Sequence, residues 1–192
     1  MNDFGFYFGL GWDHIMSPDA LDHILFVWVL TAIYLLRNWR QVLVLVTAFT
    51  VGHSITLALS TLNLLTVPGE WIEFLIPCTI VFTALSNVFI RDYTPRMLRL
   101  NYVLALFFGL VHGLGFANTL RFLLVKGQSL GWSLFGFNLG LEAGQLVVVA
   151  VILLLSWLLV ERLKAPRREW VLFVSAAVFG LALKMALERL PL

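Results

Sequence analysis

Charge is what this sequence lacks most. Only 12% of its 192 residues are Asp, Glu, Lys or Arg, against about a quarter in an ordinary soluble domain. A single cysteine, Cys78, excludes an internal disulfide and a Cys-x-x-Cys pair. Inside an apolar run it reads as a small buried hydrophobe. No Lys or Arg precedes Arg37, so the basic start of a secretory signal peptide is missing. The first membrane helix itself is expected to direct insertion. The apolar runs show no period-two alternation, which argues against a membrane β-barrel. No His-Glu-x-x-His or Gly-x-Ser-x-Gly motif is present.

What is abundant is apolar surface. Hydrophobic residues make up 60% of the chain, and the mean hydropathy is +0.92. This excludes disorder, a nucleic-acid-binding domain and an ordinary cytosolic enzyme. Lipid is the expected solvent and the main contact surface.

Six apolar runs predict membrane helices over residues 20–36, 42–62, 71–90, 100–120, 132–160 and 170–187. Each can cross a hydrocarbon core of about 30 Å. Helices are required because backbone polar groups in lipid must be satisfied internally. The fold class predicted is an all-α membrane bundle of about six helices in one domain, with residues 1–19 as an extracytoplasmic segment, interfacial or re-entrant. Asp19, after Pro18, is a candidate cap for the first helix. Breaks are expected at Asn38, Pro68-Gly69, Asp92 to Pro95, Lys126 to Ser129 and Pro166.

Basic residues set the orientation. Arg37, Arg40, Arg91, Arg96, Arg99, Arg162, Lys164, Arg167 and Arg168 share one side, and Arg121, Lys126, Lys184 and Arg189 the other. Nine against four puts the first group in the cytoplasm and both termini outside.

The chain has four histidines, His14, His23, His53 and His112, and none falls in a loop predicted to be cytoplasmic. Counting along the runs puts them, with Glu73 and Glu142, between the midplane and the extracytoplasmic surface. Ionisable groups at such depth are costly and point to function. Imidazole and carboxylate are ligands for divalent transition metals. Asp22 and His23 are neighbours, but adjacent helical residues point about 100° apart. They read as separate ligands of one site, or as serving different helices. Asn138, Glu142 and Gln145 share one face of the fifth run, and Ser54 lies beside the Thr50, His53 and Thr56 stripe. Gly136, Gly140 and Gly144 form a different face, suited to close helix packing. Gly109 and Gly113 bracket His112. These glycines can join helices within one chain or between copies, which leaves a homo-oligomer open.

Four blocks together resemble the HupE/UreJ family of bacterial membrane proteins. They are G-W-D-H-I-M-S-P-D-A-L-D-H-I-L-F (Gly11 to Phe26), F-T-V-G-H-S-I-T-L (Phe49 to Leu57), F-G-L-V-H-G-L-G-F-A (Phe108 to Ala117) and F-N-L-G-L-E-A-G-Q (Phe137 to Gln145). The resemblance implies a nickel or cobalt permease in the bacterial inner membrane. It carries His14, Asp22, His23, His53, His112, Glu142 and Gln145 into the site. The nickel-permease branch has a tighter spacing in the first block and a second histidine in the third. This chain is more similar to the branch whose substrate is not settled.

Two functions follow. A permease would take a nickel, cobalt or zinc ion from outside and bind it with His14, Asp22, His23, His53, His112 and Glu142. Its cytoplasmic half offers only Thr83, Asn87, Asn101 and Ser156 as polar steps. Alternatively, a zinc-dependent intramembrane hydrolase would hold a metal-bound water, with Glu142 or Asp22 as general base, and act on a lipid or an extracytoplasmic peptide.

Overall fold

A computed structural model describes residues 3–17, 20–90, 95–123 and 130–191. For residues 3, 95–99, 118 and 121–123 only the backbone is described. The candidate cap Asp19, the breaks at Asp92 to Thr94 and Lys126 to Ser129, and Arg91 lie outside this set, as do the side chains of Arg96, Arg99 and Arg121.

Seven α-helices account for the fold among the described residues. They are α1 (Asp3–Met16), α2 (Leu21–Thr31), α3 (Trp39–Thr61), α4 (Gly69–Phe89), α5 (Pro95–Leu123), α6 (Leu130–Ser156) and α7 (Arg167–Glu188). A short 3-10 turn, Leu36–Asn38, leads into α3, and a π-helical turn, Trp157–Arg162, extends α6. Five helices are long and apolar enough to cross a membrane: α3, α4, α5, α6 with its extension, and α7. The protein is an all-α, multi-pass membrane protein. Large apolar side chains such as Val103, Phe107, Leu154 and Phe173 face outward, as contact with lipid tails requires.

The first crossing departs from the run predicted at 20–36. Only 11 residues of it, α2, are α-helical, a rise of about 16 Å and too short to span. The other part is supplied by α1, which the sequence reading put outside the bundle. Together α1 and α2 extend along α6. Phe4 lies against Gly136 and Ile15 against Gly144, and Ser156 Oγ donates to the Tyr34 carbonyl at 3.4 Å. The interruption falls between Met16 and Ala20, with His14 just before it and His23 just after. A broken helix of this kind frees polar groups deep in a bundle, where they can line a site.

Glycine decides which helices pair. A Cβ on Gly11 would overlap the Phe137 carbonyl, and one on Gly140 would overlap the Phe8 carbonyl, so α1 and α6 touch backbone to backbone. The same holds between α3 and α5, where Gly52 meets the Leu106 carbonyl, Gly109 that of Phe49, and Gly113 that of His53. Close approach at small residues is the usual basis of helix association in lipid. Both glycine faces are thus used inside one chain.

The cationic side chains near one end of the bundle also close it. Arg168 donates to the carbonyls of Asn87 (3.1 Å), Ile90 (2.7 Å) and Val88 at the end of α4. Arg167 donates to the Ile33 carbonyl beyond α2. These carbonyls have no partner within their own helices.

Candidate metal-binding site

The interruption between α1 and α2 brings four imidazoles together. The rings of His14 and His23 are 4.6 Å apart, those of His23 and His112 5.1 Å, and those of His14 and His53 6.1 Å. One ring nitrogen each from His14, His23 and His53 lie within 4.8 Å of one another. His23, His53 and His112 are buried. The shared depth counted from the sequence therefore becomes contact.

Hydrogen bonds fix two of the rings. His112 Nδ1 lies 2.9 Å from the Phe108 carbonyl. A carbonyl only accepts, so Nδ1 carries the proton and Nε2 presents a bare lone pair. His23 Nδ1 lies 2.9 Å from Asp22 Oδ1, which leaves its Nε2 in the same state. Asp22 is not turned away from His23, as the 100° rule suggested. It sits in the first turn of α2, where backbone N–H groups lack helical partners, and its carboxylate folds back to accept from the His23 N–H at 2.8 Å. From there the same oxygen reaches the ring. A carboxylate behind a ligating imidazole sets its orientation and raises its basicity. Asp22→Asn is therefore expected to weaken metal binding about 10–100-fold while the helices stay intact; calorimetric titration alongside circular dichroism checks both parts.

Among the described residues, five buried imidazole nitrogens find no hydrogen-bond partner: Nε2 of His14, His23 and His112, and both nitrogens of His53. Leaving a buried polar atom unmatched costs about 1–3 kcal/mol. A divalent ion would satisfy them, and the donor set suits nickel, cobalt or zinc.

Aromatic rings wall the cluster. Phe116 and Phe137 stack on each other at 4.8 Å, and His14 lies 4.3 Å from the Phe116 ring. The sequence reading did not single these out, since phenylalanine is frequent throughout the chain. The cluster opens on one side into a cavity of about 540 Å³, where Asp13, Glu73 and Arg189 join the histidines. Asp13 and Glu73 are exposed. Arg189 Nη1 lies 3.4 Å from Asp22 Oδ2, a pairing across the whole sequence that nothing local signals.

Other predicted site residues stand apart. Glu142 accepts from Thr47 Oγ1 at 2.7 Å, and Gln145 from Thr50 Oγ1 at 3.1 Å. Both bind α6 to α3, so the structure does not bring Glu142 to the histidines. Its glycine face is held by α1, and that fixes the rotation of α6. Asn138, one turn earlier, does lie beside His53, and its Nδ2 donates to the Leu134 carbonyl. Ser54 Oγ donates to the Thr50 carbonyl in its own helix.

The sequence matches the family described as HupE / UreJ protein over residues 1–189. The chain belongs to the HupE/UreJ family. No curated protein and no solved structure matches it. The match to HupE/UreJ spans every helix, so α1 and α7 are as much a part of the family's pattern as the four sequence blocks.

Proposed function

We propose that the protein is a permease for a divalent transition-metal ion, bound in transit by His14, His23, His53 and His112. The observation that carries this reading is the convergence of four imidazoles whose buried nitrogens lack partners. The function implied by HupE/UreJ resemblance, nickel or cobalt transport, points the same way. The family resemblance favours the bacterial inner membrane, and the nine-to-four basic bias favours both termini outside, so that the cavity opens extracytoplasmically. Asp13, Asp22 and Glu73 outnumber Arg189 along its wall, a balance that draws cations in. Neutral imidazoles bind the ion without trapping it as thiolates would, which suits release.

The hydrolase reading loses its bases. Glu142 is bonded to Thr47, away from the histidines, and Asp22 is engaged by His23 and Arg189, which favours the permease reading over a free general base. Proteoliposomes supplied with Ni²⁺, Co²⁺ or Zn²⁺ test the proposal. Uptake above that of empty vesicles is expected for at least one ion. One tightly held ion per protein without any flux would overturn transport in favour of a resident metal.

A further inference from the structure

We propose that Phe26, Phe49 and Phe108 form a barrier between two cavities, and that the second cavity is the release chamber for the ion. This rests on the permease reading. The second cavity, about 480 Å³, lies between α2, α4 and α5; Thr83, Ser86, Asn87 and Asn101 line it among seven apolar side chains, of which Phe82, Phe89 and Leu100 are exposed. It occupies the opposite half of the same helices. On α4 the first cavity takes Glu73 and Ile76, and the second takes Thr83 and Asn87. On α5 the first takes His112 and Phe116, and the second Asn101 and Phe108. Three of the four polar residues that the sequence offered for the cytoplasmic half are gathered here.

The separating layer is apolar and tight. Phe26, Phe49 and Phe108 are 1%, 1% and 3% exposed. The Phe26 ring lies 5.1 Å from Phe49 and 5.6 Å from Phe108. Directly against it, Phe26 and Phe49 each lie 5.2 Å from the His112 ring. An apolar constriction of this kind stops a hydrated ion until it widens. Six waters occupy about 180 Å³ at roughly 30 Å³ each, so either cavity holds a hydrated ion and the layer between them does not.

Binding and gating are joined in one turn of α5. Phe108 lends its ring to the barrier and its carbonyl to His112 Nδ1. An ion that draws His112 Nε2 toward the other imidazoles pulls on that carbonyl, and the Phe108 ring moves with it. The side chains of Thr83, Asn87 and Asn101 then offer oxygens on the far side.

Single cysteines test this in a Cys78→Ala background. Ile76→Cys reports on the first cavity and Thr83→Cys on the second. Proteoliposomes of known orientation are treated from either face with a small membrane-impermeant cationic thiol reagent. The two cysteines are expected to label from opposite faces. Adding Phe108→Ala should open Thr83→Cys to the Ile76 face. Phe26→Ala thins the same layer from another helix and should do likewise, which covers a failure of either variant to fold. Labelling of both cysteines from one face would overturn the proposal. So would one-sided labelling of Thr83→Cys in variants that keep their Co²⁺. The expected labelling with no Co²⁺ uptake by the intact protein would instead overturn the permease reading, leaving the barrier but removing its release role.

Discussion

His53→Ala is expected to strip the protein of its stoichiometric divalent ion. His53 is fully buried at 0% exposure, and neither ring nitrogen has a partner. Loss of an outer partner such as the Asp22 carboxylate costs about 10–100-fold in affinity. Loss of a direct ligand should exceed that, because one of the few donors disappears and no water-filled route replaces it. The cavity left behind is walled by Phe49 and Phe137, which offer nothing to a cation that has shed its water. Elemental analysis of purified protein loaded with Ni²⁺ or Co²⁺ reads the result. The fold should survive, since Asn138, which stands beside the His53 ring, keeps its own bond to the Leu134 carbonyl. Full metal content in His53→Ala would remove His53 from the site. Full content in both His53→Ala and His112→Ala would remove the shared site altogether.

Gly109→Ala and Gly140→Ala carry the second large effect, on stability. At each position the new methyl overlaps a backbone carbonyl of the facing helix, of Phe49 or of Phe8. A side chain can change rotamer to relieve such overlap, but a helix backbone must move as a body. Overpacking in a tight interior typically costs about 1–3 kcal/mol, and these two should reach or exceed the upper end. Gly180→Ala is the control. A Cβ there meets nothing within 4 Å, and alanine favours a helix over glycine by about 1 kcal/mol. Thermal unfolding in detergent should show both interface variants well below the parent and Gly180→Ala level or slightly above. Equal melting temperatures for all three would show that α1–α6 and α3–α5 do not pack backbone to backbone.

The same contact joins stability to the site. Gly113 faces the His53 carbonyl, so the α3–α5 approach also sets where the His53 ring stands. Gly11 and Gly140 hold α1 to α6 three residues before His14. His53 and His112 are held close because α3 and α5 touch at glycine, while His14 reaches them from an α1 seated on α6.

The five long spans were legible from composition, because a bilayer demands about twenty apolar residues and these runs supply them. The first crossing was not. Gly5, Gly9, Gly11 and Asp13 dilute the hydropathy of α1 below that of a span, and only its fit along α6 shows that it belongs to the bundle. Among the site residues, depth along each helix was readable by counting, and it placed four histidines at one level. Rotation was not. Periodicity says that Asn138, Glu142 and Gln145 share a face, but it does not say which helix that face meets.

The sequence by itself determined a membrane bundle, its five long crossing segments and the level at which its polar residues lie, because hydrocarbon permits few departures from apolar helices. Tertiary structure decided that Glu142 turns to Thr47 and that Arg189 returns to the cavity mouth. Those choices depend on how each helix is turned about its axis. Backbone contact at Gly11, Gly52, Gly109 and Gly140 fixes that rotation, and such contact exists only once two distant segments meet.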